Sequence, residues 1–166
     1  MKIDAKVKCE NNVLYFLDGR KCNLENAQVL HAEAFCRDVK NLCAKEKIFL
    51  ITLPWTLCGM NEESYNEEFL AQLRDALKVL EENESYAVIC PLCDGEANDQ
   101  AAKEAFVAAM KHAARRIKDC ENVVGFEIPE NLPADFFVEE LSAKHQQYVF
   151  FTDNAELLKN SAFVKL

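Results

Sequence analysis

The sequence predicts an α/β protein whose sheet is mostly parallel. Short apolar runs alternate along the chain with longer segments in which apolar residues recur at helical spacing. The runs "KIFLITLPW" (47–55) and "YAVIC" (86–90) are continuously apolar, as strands buried on both faces are. Because strands and helices alternate, the pattern favours strand–helix–strand units, which build parallel sheets.

The first predicted element is a β-hairpin, and five strands follow it. In "NNVLYFLDGRKCNL" (11–24), Asp18-Gly19 separates two extended runs, and both residues tolerate the positive φ of a tight turn. The later apolar runs predict strands at 27–32, 47–55, 86–90, 122–126 and 148–151.

Helices are predicted between these strands. Phe35, Val39 and Leu42 mark one face of a helix over 33–45. Ser64 and Glu67 form a capping box that opens a long helix. The remaining predictions are a helix striped by Phe106, Met110, Ala113 and Ile117, a short helix at 134–145 and a last helix capped by Asp153.

This pattern leaves the topology of the sheet open. Five parallel strands complete an open, doubly wound sheet of the flavodoxin type, but they make only five-eighths of a (β/α)8 barrel. The chain has 166 residues and no low-complexity linker, so we expect a single α/β domain over 1–166.

Charge and composition exclude several classes of function. Nineteen basic against 28 acidic residues give a net charge of −9, so neither nucleic acid nor an anionic membrane is an expected partner. No apolar run reaches the ~20 residues that span a bilayer, and the N-terminus lacks the apolar core of a signal peptide. We therefore expect a cytoplasmic protein whose eight cysteines are reduced.

Chemically active side chains cluster where the predicted strands end, which is where parallel α/β folds carry their sites. No GxGxxG, GxxxxGK[ST] or GxSxG motif occurs, so a nucleotide cofactor and acyl-transfer chemistry lose support. No cofactor is therefore expected, apart from a zinc ion bound by cysteines. The candidate residues are His31, Trp55, Cys58, Cys90, Cys93, Asp94, Glu127, Glu130 and Asn131.

Cys90-Pro-Leu-Cys93 is a candidate metal or redox motif. A CxxC supplies two zinc ligands from one turn, and Cys58, with Cys22 further off, is a candidate for the others. A redox role is disfavoured because Asp94 stands beside the motif, whereas reactive thiolates need positive neighbours.

The segment "ARRIKDCENVVGFEIPENLP" (114–133) resembles the fourth-strand region of cellulase-type, family-five glycoside hydrolases. In that family a helix ends in a similar phrase and the strand ends G-x-E-x-x-N-E-P. "KIFLITLPW" is similar to the family's second strand, which ends in proline and an aromatic residue, and the DGRKCNL hairpin is similar to the one before the family's barrel. The resemblance implies a partial TIM-barrel-like domain of about five strands.

The same segment departs from the family at its catalytic position. The family's Asn-Glu pair is reversed here, so Asn131 takes the place of the general acid/base, and an amide cannot deliver a proton. No counterpart of the family's nucleophilic glutamate is found. The resemblance therefore implies a non-catalytic module that binds carbohydrate or a protein partner through a cleft. Trp55, His31, Glu127 and Asn131 are its expected binding residues.

Two alternatives remain open. One is a weak glycoside hydrolase that uses Glu130 as its catalytic residue. The other is a thiol or zinc protein built on Cys90 and Cys93. Because a partial barrel exposes strand edges, we also expect either an open sheet with helices on both faces or a partner, such as a second copy, that covers the gap.

Overall fold

The protein is described here, in a computed structural model, over residues 3–25, 27–42 and 45–166. Its strands are β1 (Val7–Glu10), β2 (Val13–Phe16), β3 (Val29–His31), β4 (Ile48–Pro54), β5 (Tyr86–Leu92), β6 (Val123–Glu127), β7 (Val149–Thr152) and β8 (Val164–Lys165). Its α-helices are α1 (Ala32–Asp38), α2 (Trp55–Cys58), α3 (Glu67–Glu82), α4 (Gln100–Arg116) and α5 (Ala134–Ser142). No helix in these ranges is long and apolar enough to cross a membrane.

Strands β3 to β8 form one parallel sheet in which neighbours in space are also neighbours in sequence. A doubly wound sheet reverses its strand order at a switch point, whereas a (β/α)8 barrel does not. The flavodoxin-type alternative is therefore wrong, and the sheet has the strand order of a barrel. It has six strands rather than about five. The sixth strand, β8, was not predicted because it is two residues long and carries no apolar run.

The α-helices pack on one face of this sheet, which we call the helix side. There, side chains from α1, α3, α4 and α5 form one core with every second residue of the strands. Examples from the helices are Phe35, Leu73, Met110 and Phe137, all of them fully buried. An open sheet with helices on both faces is therefore also wrong.

The opposite face, which we call the hairpin side, is covered by β1 and β2. Val7, Leu14 and Phe16 of the hairpin form a second core with the inward-facing residues of the sheet, and no α-helical residue that the structure describes contributes to it. Those sheet residues are Ile48, Val88, Cys90, Val124, Phe151 and Val164. The chain thus covers the inside of its sheet with its own hairpin, a solution that the sequence did not predict.

Asn12, at the tip of the hairpin, fastens it to the end of the chain. Its side-chain amide donates to the carbonyl oxygens of Asn160 at 2.8 Å and Phe163 at 2.6 Å. Its backbone N–H donates to Ser161 O, and its own carbonyl accepts from Lys165 N, each at 3.1 Å. These four bonds satisfy backbone groups beside β8, the last strand of the sheet.

The turn of the hairpin lies earlier than predicted. Asn11 and Asn12 connect β1 to β2 with φ of 51° and 67°, the left-handed conformation that asparagine tolerates. Asp18-Gly19 does form a turn, but it leads only to an isolated bridge between Tyr15 and Lys21. The hairpin predicted at Asp18-Gly19 is therefore formed around Asn11 and Asn12 instead.

Three helix predictions need correction at their ends. The helix predicted over 33–45 is α1 and a 3₁₀ turn that ends at Asn41, and residues 43–44 lie outside the described ranges. α3 is capped by Asn66, whose side chain accepts from Phe69 N, while Ser64 belongs to a preceding 3₁₀ turn. The last predicted helix is a single 3₁₀ turn, Leu157–Lys159.

Candidate functional site

Four polar residues lie side by side at the carboxyl ends of β3 to β6, on the hairpin side. His31 is opposite Thr52 in register, and Thr52 is opposite Cys90. Glu127, the last residue of β6, follows, and its carboxyl group is close enough to influence the pKa of the Cys90 thiol, which donates to Val88 O at 3.9 Å. We call these four residues the polar layer.

An irregularity in β6 turns Glu127 towards this layer. Val123 packs on the helix side and Val124 on the hairpin side, so strict alternation would place Phe126 on the hairpin side and Glu127 among the helices. The register with β5 shifts by one residue here, and Phe126 packs on the helix side instead. Bulges of this kind redirect side chains, and this one directs Glu127 into the site.

An open groove of about 570 Å³ lies over the polar layer. It brings together five of the residues that the sequence singled out, namely Cys90, Cys93, Glu127, Glu130 and Asn131. The other residues lining it are Thr52, Pro91, Leu92, Gly95, Ala97, Asn98 and Pro129. The lining contains carboxylate, amide and hydroxyl groups but no basic and no aromatic side chain, so it suits a neutral, hydroxyl-rich ligand better than an anion.

Glu127 is a groove residue whose carboxyl group has a shifted pKa. Burial raises the pKa of its carboxyl group, and the nearby negative charges of Asp153 and Glu130 also raise it. The neighbouring thiol of Cys90 lowers the pKa of Glu127 instead, because a donor beside the carboxylate stabilises its charged form. A half-buried carboxyl group with a raised pKa is a feature that functional sites share.

This shift predicts that Glu127→Gln stabilises the protein at neutral pH. The folded state keeps a proton that the unfolded chain releases near the ordinary pKa of 4.5. Glu127 therefore lowers the free energy of unfolding as the pH rises from 4.5 through the raised pKa, and the loss is complete above it. Urea unfolding should show the variant more stable at neutral pH, with a difference that shrinks below pH 4.5.

Glu25→Gln serves as the matched control, because Glu25 is exposed in the loop before β3. Its unfolding should follow the wild-type protein at both pH values. A Glu127→Gln variant that is no more stable than wild type at neutral pH would contradict the raised pKa.

The three candidate ligands Cys58, Cys90 and Cys93 do not converge on a common point. Cys90 packs in the hairpin-side core, whereas Cys58 is buried in the helix-side core. The thiol of Cys93 instead donates to Gly95 O at 3.7 Å. Burial raises the pKa of Cys58 to about 12 and also raises that of Cys90, so both thiols are held protonated. Within the described ranges, no three His, Cys, Asp or Glu residues are grouped to hold a metal ion.

His31 lies at the end of the polar layer and also caps α1. Its Nδ1 accepts from the backbone N–H of Glu33 at 3.3 Å, which leaves the ring proton on Nε2. His31 does not line the groove itself, although its register partner Thr52 does.

Trp55 does not line the groove, which corrects the sequence-based placement. Its side chain is 1% exposed and packs against Phe106 with ring centroids 5.4 Å apart. The residue begins α2, directly after Pro54 ends β4, and this turn directs the ring to the helix side. In this conformation the indole cannot stack on a sugar.

Thr52 and Asn98 are polar groove residues that sequence reasoning missed. Thr52 is the polar residue in the middle of the run "KIFLITLPW", which otherwise has only Lys47, at its start, as a polar residue. A polar residue in the middle of an apolar strand was the feature of the sequence that could have identified Thr52 as a site residue.

Two glycosidases of known structure are similar to this chain. One is the endoglucanase Cel5A of Pseudomonas stutzeri, with a TM-score of 0.53, 14% identity and coverage of 72% of this chain and 41% of that one. The other is a glycoside hydrolase with a TM-score of 0.54, 12% identity and coverage of 89% of this chain and 40% of that one. No protein-family model matches the sequence, and no curated protein matches it.

At identities this low the likeness shows the fold alone. The chain has a glycoside-hydrolase-like α/β fold, with a six-stranded parallel sheet and an antiparallel hairpin. It spans about two-fifths of the length of the two structures it resembles.

Proposed function

We propose that the groove over the polar layer binds carbohydrate and that the protein is a non-catalytic module. The observation that carries this proposal is the groove itself. It lies at the carboxyl ends of the central strands, where barrel enzymes bind their substrates, and carboxylate and amide side chains line it.

Sugar hydroxyl groups both donate and accept hydrogen bonds, so a ligand site for sugars needs both partners. Glu127 and Glu130 supply carboxylate acceptors, Asn131 and Asn98 supply amides that do both, and Thr52 supplies a hydroxyl. The shared location of these groups supports a polyhydroxylated ligand.

The placement of Glu127 also supports a binding role. Its carboxyl group lies where ionisation is disfavoured, so the chain keeps an acid that costs stability at neutral pH. Such costs are typical of positions that serve function rather than folding. The resemblance that puts Asn131 at the family's acid/base position supports binding without hydrolysis.

The test is a binding screen of the purified protein against cello-, manno- and xylo-oligosaccharides. A ligand at 100 times its Kd should stabilise the protein by about 2.7 kcal/mol, which a thermal shift detects and titration calorimetry confirms. Asn131→Ala should lower the affinity about tenfold or more because it removes hydrogen bonds to the ligand, and Glu127→Gln should lower it as well because an NH2 donor replaces one carboxylate acceptor.

The controls separate binding from folding. Glu127→Gln is expected to stabilise the protein at neutral pH, so lost affinity in that variant is not a folding defect. Glu25→Gln should bind as the wild type does. Absence of binding to all three sugar classes would contradict the proposal. Release of reducing ends that disappears in Glu130→Gln would contradict the non-catalytic part and make the protein a hydrolase.

A further inference from the structure

A second pocket lies at the end of the sheet opposite the groove. It has a volume of about 540 Å³, within the range of small-molecule sites, and it shares no residue with the groove. The turns that precede β6 and β7 form it together with residues 3–5, so it lies at the amino ends of these parallel strands. We call it the amino-end pocket. Its polar lining residues are Asp4, Lys118, Lys144, His145, Gln146 and Gln147.

His145 is the most buried polar residue of this pocket. It is 6% exposed, and its ring stacks on that of Tyr148 with centroids 5.3 Å apart. Within the described ranges, no hydrogen bond or ion pair involves its ring. Among the described residues, the fully enclosed side-chain polar atoms without a partner belong to Trp55, Asn122 and Tyr148, so the ring nitrogens of His145 are not enclosed by protein. They therefore remain available to a ligand in the pocket.

Two lysines of the pocket carry charges that the described part of the chain leaves unpaired. Lys118 and Lys144 are exposed, one in each turn, and neither forms an ion pair within the described ranges. Elsewhere the chain does pair its lysines, and Lys6 and Lys111, for example, lie 3.0 and 2.7 Å from carboxylate oxygens. Asp4 is the one carboxylate among the described lining residues. The pocket is thus locally positive in a chain whose net charge is −9.

We propose that the amino-end pocket binds the phosphate group of a small phosphate monoester. Such a group carries about −1.5 to −2 charges at neutral pH, which the ammonium groups of Lys118 and Lys144 balance, whereas a carboxylate needs only one of them. Its oxygens accept hydrogen bonds from both lysines and from a ring N–H of His145. The amides of Gln146 and Gln147 are left for the polar groups of the esterified part. This site is independent of the carbohydrate proposed for the groove.

Bound phosphate should raise the pKa of His145, which provides a direct readout of the site. Burial lowers this pKa, and the positive charge of Lys118 lowers it further. An anion beside the ring acts against both effects, because it favours the imidazolium form. Lys144 adds a second positive charge to the lining, and Asp4 adds a negative one. Ring proton signals in NMR spectra, recorded over a range of pH with and without phosphate, measure the pKa of His145.

Inorganic phosphate and glycerol phosphate are the probes, titrated by calorimetry in buffers whose ionic strength is matched with sodium chloride. Both should bind, and glycerol phosphate should bind more tightly because its glycerol group can contact the amides of the pocket. Lys118→Gln and Lys144→Gln should each weaken the affinity several-fold and should remain folded, since both side chains are exposed. Lys103→Gln is the matched control, because Lys103 lies at the other end of α4 from Lys118 and should leave binding unchanged.

Absence of binding by both probes, beyond the effect of chloride, would overturn the proposal. So would binding that is unchanged in Lys118→Gln and Lys144→Gln, or that does not raise the pKa of His145. Malonate, a dicarboxylate of similar charge, should bind more weakly, and equal affinity would make the pocket a general anion site. Inorganic phosphate that binds more tightly than glycerol phosphate would overturn the monoester. The ring signals of His31 and His112, which lie outside the pocket, are internal controls and should not respond to phosphate.

Discussion

Replacing Gly125 with alanine is expected to destabilise the protein by on the order of 4 kcal/mol, enough to prevent folding in a marginally stable domain. Gly125 directly follows Val124, the residue skipped in the register with β5, and pairs with Val149 of β7. A Cβ atom there would overlap the carbonyl oxygen of Val149 and lie 2.7 Å from its carbonyl carbon. Both are backbone atoms, so the clash is relieved only if β6 and β7 separate.

Gly19→Ala is the matched control for this prediction. Gly19 has a φ of 96° but nothing within 4 Å of an added Cβ, so alanine there meets backbone strain without a clash. Its cost should be about 1–2 kcal/mol. Urea unfolding, or the soluble yield if Gly125→Ala does not fold, measures both. Equal effects at the two positions would show that close packing of β6 on β7 is not what requires Gly125.

The bulge also links stability to the site. It shifts the alternation of β6 by one residue, and that shift places Glu127 in the groove instead of among the helices. Gly125 is the first residue of the shifted register, so a change at Gly125 acts on the strand that carries Glu127. A variant that restores pairing without the bulge would turn Glu127 away from the ligand.

Much of the fold follows from hydrophobic pattern. The runs at 47–55 and 86–90 correspond to β4 and β5, and the stripe from Phe106 to Ile117 corresponds to α4. These segments are predictable because their burial is extensive and periodic. The barrel-like topology did not follow from pattern, since the same elements suit an open sheet. It was the resemblance to glycosidases that favoured the barrel order.

The remaining features depend on contacts between residues distant in sequence. Nothing in residues 7–16 indicates that the hairpin covers the inner face of the sheet, because its apolar residues would suit any core. β8 is too short to show a pattern, and it is held by pairing with β7 and by Asn12. Trp55 was wrongly predicted to line the groove because the side chain of a residue directly after a strand can point to either face of the sheet.

The residues of the candidate site could be predicted in part, but the face of the sheet on which each side chain lies could not, because it depends on contacts between residues distant in sequence. Strand ends mark the edge of the sheet where sites lie, so Cys90, Glu127, Glu130 and Asn131 could be selected from sequence. Which face each side chain occupies depends on the register of the strands. A bulge such as the one before Phe126 changes that register without a clear signal in a single sequence.

Asn12→Ala is expected to lower the free energy of unfolding by about 3 kcal/mol, from left-handed backbone strain and lost hydrogen bonds together. The side chain of Asn12 satisfies two carbonyl groups, of Asn160 and Phe163, that would otherwise lack this partner. Asn11→Ala isolates the strain, because Asn11 also has a positive φ and is exposed, with no side-chain hydrogen bond to another described residue. Its cost should be about 1 kcal/mol, and urea unfolding of both variants gives the difference.

That difference measures how firmly the hairpin is fastened to the end of the sheet. If it is large, Asn12 substitutes for the neighbouring strand that a closed barrel would place beside β8. Release of the hairpin would expose Val7, Leu14 and Phe16 together with the inner face of the sheet. Asn12→Ala should therefore also self-associate at concentrations where Asn11→Ala does not, as light scattering would show. Equal stability of the two variants would mean that the apolar core alone holds the hairpin in place.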